Sequence, residues 1–481
     1  MRLKLPITNY SPLPFDLHQA DASSALEKGM PWRRVPSKRR MKTDSHRPRP
    51  PEHRPAGSVR RTRLLPLVIA TLLLAAGPGR ADDFQGATHL MPFDEDTIAY
   101  SKTKAHGSIP TLQEKIDTGQ VKLKFDAQFG YLPAVLAALG VPKTSQGLVF
   151  SKTSFQRERI SPGHPRAIYF NDDTYVGYVP GSPLLEFSMA DPKLGAVFFT
   201  MEQAEVAKPR FSRNDQCLEC HASAKTMGVP GHVIRSFATD DSGVVDLSSG
   251  VSLVTHRTPL AERWGGWYVT GQHGSQTHRG NLVGKAAYAK QEENPNHLGN
   301  LTSLGRFIDT QDYLHGSSDI VALLVLEYQY HLHNFLTRLN YEATVSLQQY
   351  GHLNYLKSKV EGLVRYLLFA EEAPLTGPVS GNTDFAKTFA AGGPKDRRGR
   401  SLREFDLRTR LFKYPCSYLI YSDAFASLPP AARDKVYARL HEVLSGKDSS
   451  AEFQKIPFAT KQAILEILVD TKPDLPANWK S

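Results

Sequence analysis

The sequence predicts an α+β protein, in which an antiparallel, sheet-rich domain is followed by an all-helical C-terminal domain. Between about residues 145 and 285, short aromatic or β-branched runs alternate with Gly, Pro, Asp and Asn, a pattern typical of strands joined by turns. After about residue 301, apolar residues recur every three or four positions, which is typical of helices. We therefore divide the chain into a leader (1–81), a sheet-rich domain (82–300) and a helical domain (301–481).

Short apolar runs bounded by turn residues predict the individual strands. Asn171-Asp172-Asp173 lies between two such runs and predicts a hairpin turn, because Asn and Asp side chains accept backbone hydrogen bonds in turns. A polar stretch, 202–231, interrupts the series, and a short helix over Tyr131–Leu139 precedes it. The predicted strands are Gly147–Ser151, Arg166–Asn171, Thr174–Val179, Leu184–Met189, Ala196–Met201, His232–Ala238, Val244–Leu247 and Trp267–Thr270.

The helical domain is predicted from its apolar spacing and from capping residues. Ser317 and Ser318 are suitable N-caps for a long helix over Asp319–Tyr350. Residues 375–400 are rich in Gly, Pro and charge and predict a loop. The other predicted helices are Leu356–Leu368, Ala431–Leu444 and Lys461–Val469.

The chain of 481 residues has a formal net charge of +11, but the excess lies in the leader. Residues 1–81 contain 16 Lys or Arg and 5 Asp or Glu, whereas residues 82–481 contain 43 of each kind. Since the remainder of the chain is balanced in charge, its composition gives no reason to expect nucleic-acid binding. The chain has 3 cysteines, too few for a disulfide-rich scaffold.

Residues 60–81 have the pattern of a secretory signal, in which basic residues precede a short, largely apolar run, Leu64–Ala76, and small residues follow it. We therefore expect a periplasmic protein. An uncleaved anchor through residues 64–76 is the alternative, and Met41 is an alternative start. Apart from that anchor, no integral membrane domain is predicted.

Cys217, Cys220 and His221 form a C-x-x-C-H motif. Cysteines three positions apart lie on one face of a helical turn, with the histidine one position further on. This spacing lets two thiols add across the two vinyl groups of a haem while the imidazole binds the iron. The motif therefore predicts one covalent haem c, held by Cys217 and Cys220, with its iron bound by His221.

Other interpretations of the motif have weaker support. A zinc site would need a second pair of ligands, and the remaining cysteine, Cys416, is single. A thioredoxin-like redox pair would follow a strand and begin a helix, whereas residues 202–216 are polar and loop-like. A disulfide between Cys217 and Cys220 would be strained. Cys416 itself is interpreted as a core thiol, with a reactive or intermolecular thiol as the alternative.

On these residues the chain resembles c-type cytochromes, and as a whole it is similar to large bacterial proteins described only as containing a cytochrome c domain. The resemblance implies thioether bonds at Cys217 and Cys220, iron ligation by His221, and electron transfer. The chain departs from small cytochromes c, which carry a methionine ligand well downstream of the motif. Its last methionine, Met227, follows His221 too closely to reach the opposite haem face.

The sixth iron ligand is left open by the sequence. Glycines around His273 and His278 would let that loop approach a flat cofactor, and His331 and His333 lie on the long predicted helix, where a core position is the alternative. His232 is nearest to the motif. Water or an empty position is a further alternative. The candidates are His232, His273, His278, His331, His333 and the upstream methionines Met91, Met189 and Met201.

The sequence thus predicts an exported monohaem c-type cytochrome that exchanges single electrons with redox partner proteins. A haem-dependent oxidoreductase, for example peroxidase-like, is one alternative, and it would need an open distal position beside an acid–base side chain. A redox or gas sensor similar to PAS-like periplasmic haem c domains is the other, by analogy of fold only. Electron transfer is favoured over catalysis, and no catalytic residue is predicted.

Overall fold

A computed structural model describes residues 89–249 and 251–479 of the protein. It confirms the predicted α+β class, with an antiparallel sheet in the first part of the described chain and helices in the last part. The leader, with the signal, the anchor and the alternative start assigned to it, lies outside the described residues. Within the described ranges, no helix is both long enough and apolar enough to cross a membrane.

The described strands form one large and one small antiparallel sheet. They are β1 (Gly147–Val149), β2 (Arg166–Phe170), β3 (Thr174–Tyr178), β4 (Leu184–Asp191), β5 (Gly195–Glu202), β6 (Ser212–Arg213), β7 (Arg235–Phe237), β8 (Val251–Leu253) and β9 (Trp267–Tyr268). The large sheet has the order β6-β5-β4-β3-β2-β1-β9, and β7 pairs with β8. Consecutive strands from β1 to β6 are therefore neighbours, as expected where short turns join antiparallel strands.

The helices are concentrated after residue 319. They are α1 (Ser108–Asp117), α2 (Leu132–Ala138), α3 (Leu218–His221), α4 (Gly284–Glu293), α5 (Ile320–Tyr350), α6 (Lys357–Leu367), α7 (Phe385–Ala391), α8 (Asp423–Ala426), α9 (Pro430–Leu444), α10 (Ala451–Gln454) and α11 (Phe458–Thr471). Predicted helices correspond to α2, α5, α6, α9 and α11.

The first five predicted strands are confirmed as β1 to β5. The prediction of a strand over Val244–Leu247 is wrong, because two aspartates turn the chain there: the Asp240 carboxylate accepts from the backbone N–H of Val244, and the Asp246 carboxylate accepts from that of Ser248. The strand predicted over His232–Ala238 contracts to β7.

The two faces of the large sheet have different partners. Alternate strand residues point to opposite faces. On one face they pack against α1 and α2, in a cluster that includes Leu148, Tyr169, Val176, Leu185, Phe187 and Val197 with Ile109, Leu112, Leu132 and Leu136. On the other face, Val149, Phe170 and Tyr175 join the cluster that contains α5. Residues from both sides of position 300 therefore belong to one hydrophobic cluster. The domain boundary at 300 stays a prediction from the sequence.

Helix α5 is buried along most of its 31 residues and organises the fold around it. Its N-cap is Asp319, so the predicted capping by Ser317 and Ser318 is wrong. The Asp319 carboxylate accepts from the backbone N–H groups of Val321 and Ala322, at 2.8 and 3.2 Å. The Ser318 hydroxyl instead accepts from the backbone of Leu148 in β1, at 2.9 Å, and so ties the helix start to the sheet.

The predicted loop over residues 375–400 contains α7, so that prediction is wrong in its middle. The turn before α7 is held by Asp319, whose second carboxylate oxygen accepts from the backbone N–H groups of Asn382 and Thr383, both at 3.0 Å. A contact between residues more than sixty positions apart thus positions the start of this helix. Such a contact cannot be predicted from the composition of residues 375–400 alone.

Candidate cofactor site

The C-x-x-C-H motif lies on a helical turn at the edge of the sheet. After the edge strand β6, the Asn214 side chain caps a 3₁₀ turn by accepting from the backbone N–H of Gln216, at 3.2 Å. That turn ends at Cys217, and α3 continues it through Cys220 to His221. The helical conformation that we assumed for the motif is therefore present.

Arg213 fixes the start of this turn. Its guanidinium donates to the carbonyl oxygens of Tyr100 and Thr103, at 2.8 and 2.9 Å, and pairs with the Asp215 carboxylate at 2.9 Å. It also lies 4.5 Å from the centre of the Tyr100 ring. Four contacts of one side chain therefore hold the motif against the N-terminal part of the described chain.

The His221 ring is oriented by a backbone carbonyl. Its Nδ1 lies 2.9 Å from the carbonyl oxygen of Gly231, and because a carbonyl only accepts, Nδ1 carries the proton. Burial lowers the pKa of His221 to about 4, against the opposing effect of this hydrogen bond, so the ring is neutral at pH 7. Nε2 is then the nitrogen with a free lone pair, as in histidines that bind metals.

A tight return loop brings Gly231 to His221. Met227 and Gly228 both have positive φ, 61° and 70°, which reverses the chain just after the motif. Arg338 on α5 donates to the carbonyl oxygen of Met227, at 2.9 Å. The long helix therefore supports the loop from inside the protein.

Asn334, one turn earlier on α5, holds the end of the loop. Its side-chain oxygen accepts from the backbone N–H of His232 at 2.8 Å, and its side-chain nitrogen donates to the carbonyl oxygen of His232 at 2.7 Å. A Cβ atom on Gly231 would overlap the Asn334 amide, so the close approach of loop and helix requires glycine at this position.

A cavity of about 550 Å³ lies between the sheet and the motif. This volume is within the range of about 300–1,000 Å³ that small-molecule and cofactor sites occupy. The motif contributes Cys217, Cys220 and His221 to its lining. Strand residues in the lining include Val149, Ile168, Tyr175, Ser188, Phe198 and Trp267, and Ile234, Leu326 and Tyr330 also line it. The lining thus combines apolar and aromatic side chains with polar and charged ones.

An ion pair is set into the sheet side of this cavity. Arg166 and Glu186 approach to 2.7 Å with side chains 23% and 12% exposed. Gly177 lies beside the pair, and a Cβ there would overlap the Arg166 guanidinium. The glycine therefore provides the space that this arginine occupies on the strand surface.

The three cysteines differ in accessibility. Cys217 is partly buried and Cys220 is exposed, and neither forms a disulfide in the structure. Burial, followed by the nearby Glu186 carboxylate, raises the pKa of the Cys217 thiol to about 11. Cys416 is fully buried, which confirms its interpretation as a core thiol, and burial raises its pKa to about 12.

Of the histidines predicted as sixth ligands, His232 lines the cavity. Its Nε2 lies 3.0 Å from the Ser188 hydroxyl, and its ring centre is 4.4 Å from that of Tyr175. Its Nδ1 is buried and has no hydrogen-bond partner in the described part of the chain. Burial holds the pKa of His232 well below its usual value, so the ring is neutral.

The other candidate histidines are not brought to the cavity. His273 accepts from the backbone N–H of Asn300 at 2.9 Å and so joins its loop to a later segment, whereas His278 accepts from that of Gly280 at 3.0 Å within its own loop. His333 donates to the carbonyl oxygen of Asp172 at 2.9 Å. His331 is buried in α5, between the rings of Phe335 and Tyr366. The upstream candidates Met91, Met189 and Met201 are buried in hydrophobic clusters.

Several residues around the site were not predicted from the sequence. Arg166, Glu186 and Arg235 line the cavity, and Asn334 positions the loop beside it. Two sequence signals indicate such residues. One is a charged residue inside an apolar strand, and the other is a single asparagine in a helix that is apolar nearly all round.

No protein family, curated protein or solved structure matches this chain in sequence or structure comparisons. Within the described residues, no group of three or more His, Cys, Asp or Glu side chains is arranged to hold a metal ion by itself.

Proposed function

We propose that the protein is an exported monohaem c-type cytochrome that transfers single electrons. The observation that carries the proposal is the position of the C-x-x-C-H turn on a cavity of about 550 Å³, with the Nδ1 proton of His221 held by a carbonyl. This arrangement leaves Nε2 of a neutral imidazole available to a metal.

Three residues would hold the cofactor. Cys217 and Cys220 would form thioether bonds, in which each S–H adds across one vinyl group and no atom is lost, and His221 would bind the iron through Nε2. The apolar and aromatic part of the lining, which includes Val149, Ile168, Phe198 and Trp267, suits a porphyrin face. When bound, the haem would supply reversible one-electron oxidation and reduction at its iron.

The exposure of the motif favours electron transfer. Cys220 and Glu219 are exposed, while His221 and the strand side of the cavity are more enclosed. One edge of a group attached at Cys220 would therefore lie near the surface, where a partner protein can approach it. The remainder of the lining keeps most of the group away from water, which helps to set its reduction potential.

The decisive experiment is production in a bacterial host that carries the cytochrome c maturation machinery. We expect a red protein whose mass exceeds that of the mature polypeptide by one haem, with the haem on the peptide that contains Cys217 and Cys220. The double variant Cys217→Ala/Cys220→Ala should lose covalent haem. Cys416→Ala is the matched control and should retain it, because Cys416 lies in the core and not at the cavity. A colourless wild-type protein would refute the proposal.

Addition of carbon monoxide to the reduced protein separates electron transfer from the two alternatives. A spectrum that the gas leaves unchanged indicates a fully ligated iron and supports electron transfer. Rapid binding of the gas would favour a haem-dependent oxidoreductase or a gas sensor.

A further inference from the structure

Two of the four cations around the cavity form no ion pair within the described chain. The lining contains the basic residues Lys152, Arg157, Arg166 and Arg235 and the acidic residues Glu158, Glu186 and Glu219. Arg166 pairs with Glu186, and Arg157 pairs with Glu158 at 3.3 Å. Lys152 forms no ion pair within the described chain, although its charge helps, after the hydrogen bonds from Ser242 and Val244, to lower the pKa of the Asp240 carboxyl.

Arg235 differs from Lys152 because no carboxylate is among the charges that affect its pKa. Its guanidinium lies over the Phe237 ring, 4.9 Å from the ring centre, and forms no ion pair with a residue of the described chain. It lines the same cavity as Cys217, Cys220 and His221. Arg235 is partly buried, and burial lowers its own pKa.

A partly buried guanidinium without an ion pair raises the free energy of the protein unless an anion binds to it. A partly desolvated charge is stabilised by an opposite charge, and the planar guanidinium matches a carboxylate through two parallel hydrogen bonds. The backbone of Arg235 is fixed independently, because β7 pairs with β8 and the Trp267 indole N–H donates to the Arg235 carbonyl oxygen at 3.2 Å. Backbone contacts therefore fix the position of Arg235 at the cavity.

We infer that Arg235 binds a carboxylate of the group that fills the cavity. The inference rests on the proposed function, in which that group is a haem and the carboxylate is one of its two propionates. Arg235 then has two effects: it fixes a propionate of the porphyrin, and it places a positive charge near the iron, which favours the reduced state.

The test uses the haem-loaded, full-length protein with Arg235→Gln and Arg235→Lys. Arg235→Gln should lower the midpoint reduction potential and shift the propionate bending band in the resonance Raman spectrum, since that band reports hydrogen bonding to the carboxylates. Arg235→Lys keeps the charge and should restore most of the potential, but only part of the band position. Haem content and far-UV circular dichroism establish that each variant is folded and loaded.

Arg157→Gln is the matched control, because Arg157 also lines the cavity but is 69% exposed and paired with Glu158. It should leave the Raman band unchanged. If Arg235→Gln lowers the potential but leaves the band in place, the arginine acts through its charge alone and the inference is wrong. If the wild-type protein acquires no haem, the proposed function fails, and this inference fails with it. These outcomes are distinguishable in the same set of samples.

Discussion

His221 and Gly231 are joined by two hydrogen bonds, one between backbone groups and one from the imidazole. The Gly231 N–H donates to the His221 carbonyl oxygen at 2.8 Å, and His221 Nδ1 donates to the Gly231 carbonyl oxygen at 2.9 Å. The ring is thus fixed by main-chain atoms ten residues further along the chain. The orientation of the His221 ring therefore depends on the return loop as much as on the motif itself.

The first prediction concerns Gly231→Ala. The added methyl group would overlap the Asn334 amide of α5, so we expect a loss of about 1–3 kcal/mol in the free energy of unfolding. Urea denaturation of the protein measures it. Gly163→Ala is the control, because the nearest atom to its Cβ would be the Ser161 hydroxyl at 4.0 Å. Equal stability of the two variants would contradict the close packing of loop and helix.

The second prediction concerns the ion pair between Arg263 and Glu327, which is 2.6 Å long with side chains 2% and 1% exposed. Glu327→Ala leaves a buried guanidinium without its charge partner, so we expect a loss of about 3–5 kcal/mol. Glu114→Ala, which removes the partner of Lys104 in a pair that is 73% and 64% exposed, should cost less than about 1 kcal/mol. Chemical denaturation at pH 7 compares the two, and similar losses would show that burial does not determine the effect.

The third prediction is that protonation of His278 lowers the free energy of unfolding in acid. Burial, followed by the neighbouring His273, lowers the pKa of His278 to about 3, compared with about 6.5 in the unfolded chain. As the pH falls, the unfolded state therefore binds a proton at this histidine before the folded state does. The contribution of His278 to stability is complete above pH 6.5 and is lost as the pH decreases from 6.5 towards 3. One such group contributes a slope of up to about 1.4 kcal/mol per pH unit.

His278→Asn tests this slope, because the asparagine side-chain oxygen can replace Nδ1 as acceptor for the Gly280 N–H. Unfolding free energies measured between pH 7 and pH 4.5 should depend less steeply on pH in the variant. His164→Asn is the control at an exposed position and should keep the wild-type slope. A variant at position 278 with an unchanged slope would contradict the prediction.

The fourth prediction is an order of thiol reactivity in protein made without haem attachment. Cys220 is exposed and should react first with a thiol reagent at pH 8. Cys217 should react at least about tenfold more slowly, because it is partly buried and its pKa is raised to about 11 by burial and by Glu186. Cys416 should react only on unfolding, since it is fully buried. Peptide mapping after timed labelling identifies each thiol, and early labelling of Cys416 would contradict its core position.

Strand positions could be predicted from the sequence because β1 to β5 are short apolar runs whose ends are marked by turn residues, and both signals are local. The ends of α5 were nearly correct for the same reason. Its N-cap could not be predicted, because the Ser318 hydroxyl accepts a hydrogen bond from Leu148 of the sheet. The Asp319 carboxylate caps the helix instead. The helix α7 was missed because its first turn depends on that same aspartate.

By itself, the sequence determined the fold class and the position of the C-x-x-C-H motif on a helical turn, because periodicity and residue spacing act over a few neighbouring residues. Only the tertiary structure decided what surrounds the motif. It places His232 at the cavity and keeps His273, His278, His331 and His333 in hydrogen bonds or ring contacts elsewhere. It also leaves Arg235 beside the cavity without an acidic partner in the described chain. These relationships join residues far apart in the chain, and only packing of the sheet against α5 creates them.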